Sequence, residues 1–129
     1  MRTDNQAAKA VVVMSRDDED LKLIRSTLKK VGFAVVYSET GNEVSALLNE
    51  PEESLRLVVA DPATPGFDFR QLLKKLHDAA SPARVLCLCE DVPASGYAEH
   101  IGAHVRRPFR RTRLVASILA TDKPLARTA

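Results

Sequence analysis

Five short apolar runs, each followed by an amphipathic or loop-like stretch, set the strongest limit on what this chain can fold into. Residues 10–14 (AVVVM) are rich in β-branched valine, as a strand covered on both faces must be. Asp18 then offers a helix N-cap, and Leu21, Ile24, Leu28 and Val31 recur at helical spacing up to Gly32, a helix stop. Residues 33–37 (FAVVY) predict a second strand, and 42–50 a short helix with Val44, Leu47 and Leu48 inward. Residues 55–60 (LRLVVA) predict a third strand ending at Asp61, and the following loop is broken by Pro62, Pro65 and Gly66. Phe69, Leu72, Leu73 and Leu76 mark a third helix, and 85–89 (VLCLC) a fourth strand. Residues 93–101 are a weak helix candidate containing Gly96, 103–106 a minimal fifth strand, and 109–120 a last helix with Leu114, Val115, Ile118 and Leu119 on its apolar face. Five βα units in succession imply an α/β fold, with a parallel sheet and helices on both faces. Function in such folds gathers beyond the carboxyl ends of the strands.

At 129 residues and 45% hydrophobic, the chain is one domain able to fill its own core. The polar segment 1–9 is expected to be disordered, the domain to span 10–121, and the tail 122–129, which contains Pro124, to be flexible. With 19 basic and 17 acidic residues, the chain lacks the basic excess of a nucleic-acid binder. No apolar run reaches the roughly 20 residues of a membrane helix, and the N-terminus has no signal-peptide pattern. The two cysteines, Cys87 and Cys89, fall two apart. On a regular strand that spacing leaves them roughly 7 Å from each other, which disfavours a disulfide and fits a reducing cytoplasm.

Residues just past the strands are therefore the ones to read. Ser15, Arg16, Asp17 and Asp18 follow the first strand, Asp61 the third, Cys89, Glu90 and Asp91 the fourth, and Arg107 and Pro108 the fifth. Carboxylates gathered at one rim can hold a hard cation such as Mg²⁺, and one of them can attack phosphorus. A facing cation would bind the anion formed. Strand-end aspartates that merely cap helices or solvate loops are the other reading of the same residues.

The segment Asp61-Pro62-Ala63-Thr64-Pro65-Gly66 resembles the phosphoacceptor signature of response-regulator receiver domains, and Arg107-Pro108-Phe109 resembles the Lys-Pro-Phe after that family's fifth strand. The order of the βα units is similar from about residue 10 to 120. The resemblance implies a CheY-like, flavodoxin-like doubly wound (βα)5 fold with a five-stranded parallel sheet in the order 2-1-3-4-5. It also implies Asp61 as phosphoacceptor, a role in two-component phosphorelay signalling rather than enzyme catalysis, and a cis Arg107–Pro108 bond. The partners implied are a histidine kinase or phosphotransfer protein and a downstream protein. Against the family pattern, the acidic pair expected after the first strand falls on Ser15 and Arg16, leaving Asp17 as the nearest carboxylate to join Asp61 in holding Mg²⁺. Arg16 weakens that site by repulsion, or stands in for the metal and pairs with Asp61. The family's hydroxyl falls on Cys89, a weaker donor. Its lysine falls on Arg107, a planar fork in place of a compact ammonium. Its aromatic switch position falls near His104 or Val105, and the stretch from Gly102 to Pro108 is about two residues short.

Two functions stay open at this point. One is a stand-alone switch in which Asp61 accepts a phosphoryl group, with Asp17 helping to hold Mg²⁺ and Arg107 facing the phosphate. The other is a degenerate receiver, independent of phosphate, that acts as an interaction or dimerisation module. Arg106, Arg107, Arg110, Arg111 and Arg113 crowd the start of the last helix. They read as a solvated face or as a docking surface for an acidic partner or a second subunit. Tyr97, in the weak helix, reads as a surface aromatic. His77, His100 and His104 form no compact metal motif and read as scattered histidines.

Overall fold

The computed structural model describes residues 8–49, 55–89 and 98–121. The expected flexible tail, most of the N-terminal segment, Glu90, Asp91, Tyr97 and most of the weak helix candidate lie outside these residues. The elements run β1 (Lys9–Val13), α1 (Asp20–Val31), β2 (Ala34–Ser38), α2 (Asn42–Leu48), β3 (Leu55–Ala60), α3 (Phe69–Asp78), β4 (Arg84–Cys87), β5 (Ile101–His104) and α4 (Arg111–Thr121). A 3-10 turn, Ala98–His100, leads into β5. All strand pairs are parallel, and the order is β2-β1-β3-β4-β5, as the resemblance implies.

The valine-rich runs alternate between two cores. Ala10, Val12 and Met14 of the first run, with Leu57, Val59 and Leu86, pack beneath Leu21, Ile24 and Leu28 of α1 and Leu114 and Ile118 of α4. Val11, Val13, Val58, Ala60 and Val85 face the other way, against Val44 and Leu47 of α2 and Leu72, Leu73 and Leu76 of α3. Alternation along a strand sends successive side chains to opposite faces, so one run serves both cores.

Some expected boundaries shift. β5 forms at Ile101–His104 rather than 103–106, because pairing with β4 begins at Val85↔Ile101, directly after the 3-10 turn. α4 begins at Arg111 instead of 109, after the cis Arg107–Pro108 bond. Leu119 was expected on the apolar face of α4 but is 53% exposed. Leu114 and Ile118 sit one turn apart on the buried seam, and Leu119 falls about 100° further round. Asp18 is not the N-cap of α1. That helix starts at Asp20, and Glu19 occupies the cap without a side-chain bond. Asp18 Oδ1 instead accepts from the Asp20 N–H at 2.9 Å. Gly32 does end α1, at φ 113°, with its N–H directed to the carbonyls of Leu28 and Lys29.

Leu57, fully buried between β1 and β4, and exposed Leu119 make a paired test. Leu57→Ala is expected to lower unfolding free energy by about 2–5 kcal/mol, and Leu119→Ser to change it by less than about 0.5 kcal/mol. Urea unfolding followed by circular dichroism would measure both, and equal losses would contradict the two-core arrangement.

Candidate functional site

The sheet register lines up the strand ends. Val13 pairs with Ser38 on one side and Ala60 on the other, Ala60 with Cys87, and Cys87 with His104. The ladder runs one step further, through Asp61 N–H to Val13 O, Leu88 N–H to Ala60 O and Val105 N–H to Cys87 O. Asp61 is therefore the first residue past the central strand, with the ends of its neighbours on either side.

The loop after β3 winds around Asp61. Both the N–H and the hydroxyl of buried Thr64 donate to the Asp61 carbonyl, at 3.0 and 2.7 Å. The Ala63 N–H donates to Asp61 Oδ1 at 2.9 Å, an Asx turn. Gly66 takes φ 79°, a left-handed conformation glycine adopts without strain. These bonds hold one carboxylate oxygen and turn the other, Oδ2, toward the neighbouring loops.

There it meets Arg107, whose guanidinium is shared among three carboxylates. Nη1 lies 3.3 Å from Asp61 Oδ2, Nη2 2.5 Å from Asp18 Oδ2, and Nε 2.6 Å from Asp20 Oδ2. The Asp61 side chain keeps 15% of its exposure and that of Arg107 37%. Partial desolvation opposes the charge of Arg107. The hydrogen bond donated to Asp20, the charge of Asp18 and the contact with Asp61 outweigh it and hold the guanidinium above its ordinary pKa.

The expected neighbours of Asp61 are sorted by this geometry. Arg107 is brought to it. Asp17, expected as the second metal ligand, is solvent-exposed, and the carboxylates that join Asp61 around Arg107 are Asp18 and Asp20. Arg16 does not pair with Asp61. Its Nη2 lies 3.7 Å from Glu39 Oε1, and its guanidinium sits 5.8 Å from the centre of the Tyr37 ring. Glu39 and Tyr37 belong to the end of β2, on the far side of β1 from β3, so Arg16 turns away from the acceptor. Tyr37 in turn donates its hydroxyl to the Met14 carbonyl at 2.7 Å. His104 is exposed, whereas Val105 beside it is buried.

The cysteines depart from the strand spacing expected of them. β4 ends at Cys87 and the chain bends at Cys89, so the two sulfurs come to 2.8 Å from each other as free thiols. Burial, followed by the contact with Cys89 and the charge of Asp61, pushes the Cys87 thiol far up, so it stays protonated at neutral pH. Cys89 is half-buried, and its sulfur lies against Cys87.

Three carboxylates with oxygen donors suit a hard dication such as Mg²⁺, but the Arg107 fork now spans them. Their donor set fits the metal that the resemblance implies, provided the guanidinium moves aside. Replacing the cation should uncover the site. Arg107→Ala is expected to raise Mg²⁺ affinity by about tenfold or more at low salt, since one unit charge near 4 Å is worth roughly 1–4 kcal/mol at a surface. Calorimetric titration would measure it, and unchanged or weaker binding would mean that the three carboxylates are not a cation seat.

No family model matches the sequence, and no curated protein matches it. Solved structures do. The signal receiver domain of an HD domain-containing protein from Pseudomonas fluorescens Pf-5 superposes with TM-score 0.70 at 18% identity, over 94% of this chain and 91% of that one. A response regulator receiver domain protein from Bacillus halodurans C-125 gives TM-score 0.70 at 17% identity, over 91% and 98%. The receiver domain of the hybrid histidine kinase CckA gives TM-score 0.66 at 20% identity, over 88% and 99%. The chain therefore has the receiver-domain fold, flavodoxin-like and CheY-like in strand order.

Proposed function

We propose that this chain is a receiver-type signalling module that accepts a phosphoryl group on Asp61 from a histidine kinase or phosphotransfer protein and passes the change to a protein partner. The observation that carries the reading is the position of Asp61 on a receiver fold. It stands at the tip of the central strand with Oδ1 fixed by a backbone N–H and Oδ2 facing a cation.

In the transfer, Asp61 Oδ2 attacks phosphorus, a P–O bond forms, and the bond from phosphorus to the donor nitrogen breaks. The departing imidazole keeps the electron pair and takes up a proton. Asp61 with Asp18 or Asp20 would hold Mg²⁺, which would supply charge neutralisation for the transfer. Arg107 begins hydrogen-bonded to Asp61 and can follow the new oxygens with the same fork, since guanidinium and phosphate match in geometry. The loop bonds from Ala63 and Thr64 keep the acceptor aimed while the fork turns.

A second reading has its own observation. Arg107 already spans the three carboxylates where a cation would sit, so a degenerate receiver that signals without phosphate would look the same at rest. The basic start of α4, with Arg110 and Arg113 exposed, would then dock an acidic partner or a second subunit.

Incubation with a small-molecule phosphodonor and Mg²⁺ separates the two readings. Intact mass is expected to rise by about 80 Da, one phosphoryl group, and the gain is expected to disappear in Asp61→Asn. Wild-type protein that gains no mass with any divalent metal would leave the phosphate-independent reading.

A further inference from the structure

The edge of the sheet opposite Asp61 carries a second polar cluster. α3 returns antiparallel to the strands, so its last turn, containing His77, reaches their amino ends. The 3-10 turn with Glu99 and His100 arrives at the same edge, just before β5. His77 Nδ1 lies 3.2 Å from Glu99 Oε2. The rings of His77 and His100 meet edge to face, with centroids 6.5 Å apart at 88°. One donor atom from each of the three residues lies within 4.8 Å of the other two.

His100 distinguishes this cluster from a chance surface grouping. It is only 3% exposed, and its Nδ1 lies 3.2 Å from the Ala83 carbonyl. A carbonyl can only accept, so that nitrogen carries the hydrogen, and in the neutral ring Nε2 keeps its lone pair. Donation from one ring nitrogen to a backbone carbonyl is the arrangement that fixes the tautomer and orientation of metal-ligating imidazoles. The other two side chains, His77 and Glu99, are each about half exposed and can turn.

We propose that His77, Glu99 and His100 form a binding site for a divalent transition-metal ion, zinc by donor type, with a fourth position open to water. Two imidazoles and a carboxylate are the donors zinc takes, whereas Mg²⁺ and Ca²⁺ favour oxygen alone. Zinc bonds of about 2.0–2.2 Å set tetrahedral donors roughly 3.3–3.6 Å apart. The present cluster reaches that spacing by small rotations of its two exposed members around the buried, oriented His100. Bound metal would clip the end of α3 to the lead-in of β5, far from the acidic rim.

The test uses the full chain, free of any histidine tag and stripped with chelator. Equilibrium dialysis and calorimetry against zinc chloride are expected to show one tightly held ion per chain and a rise in thermal midpoint. His77→Ala and Glu99→Gln, both at exposed positions where folding should survive, are expected to weaken binding at least about tenfold and to abolish the thermal rise. His104→Ala is expected to bind as the wild type does. In histidine NMR spectra, zinc is expected to shift the imidazole resonances of His77 and His100 and to leave those of His104. The proposal is overturned by wild-type protein that retains no zinc, by binding that survives both His77→Ala and Glu99→Gln, or by binding lost in Asp61→Asn, which would place the ion at the acidic rim.

Discussion

Covering a parallel sheet on both faces decides where everything else in this molecule can happen. Residues 11–13 and 57–60 carry no polar side chain, and they divide between two apolar cores. A polar group on either face of these strands would lose its water without a partner. Polar chemistry is thereby pushed to the two edges where strands meet loops. The carboxyl edge gathers Asp18, Asp20, Asp61 and Arg107. The amino edge gathers His77, Glu99 and His100. About 20 Å of strand separates them, the length of a six-residue strand such as β3.

What could be read in the sequence was whatever depends on local spacing. β3 forms over the residues its pattern marks, because LRLVVA lies between a charged stretch and the prolines of the next loop. Asp61 follows from that end, and Arg107 from its place after the last strand. β5 was misplaced because Ile101–His104 contains Gly102 and Ala103. Such small residues carry no period, so pairing with β4 sets the register instead. The cysteines are free, as their spacing implies, but the distance between them differs for a related reason. Strand spacing was applied to Cys89, which lies past the end of β4.

The partners of Arg107 were beyond reach of any local rule. Asp20 and Asp18 stand 87 and 89 positions before it. Which of the run Asp17, Asp18, Glu19 and Asp20 turns toward the rim depends on how the chain enters α1. Asp18 had a ready local role as a cap, and it does bond the Asp20 N–H with one oxygen. Its second oxygen goes to Arg107, so one carboxylate ties the helix entry to the opposite loop. His77 and His100 read as scattered histidines for the same reason. Their spacing in sequence has no metal-site pattern, and only the return of α3 beside the 3-10 turn brings them together.

The arginine in place of a lysine has a geometric consequence at this rim. An ammonium presents its donors from one point, whereas the guanidinium holds three nitrogens apart in a plane. Here each nitrogen reaches a different carboxylate, one past β3 and two at the entry of α1. Three formal negative charges face one positive charge, so the cluster remains short of cation and is receptive to a dication. A phosphoryl group on Asp61 would add negative charge and strong acceptor oxygens within reach of the same fork. Any nitrogen drawn to those oxygens is withdrawn from Asp18 or Asp20, and the first turn of α1 loses a tether as the acceptor gains one. In the proposed function the competition for a single guanidinium thus links the chemistry at β3 to the position of a neighbouring helix, without requiring the sheet itself to move.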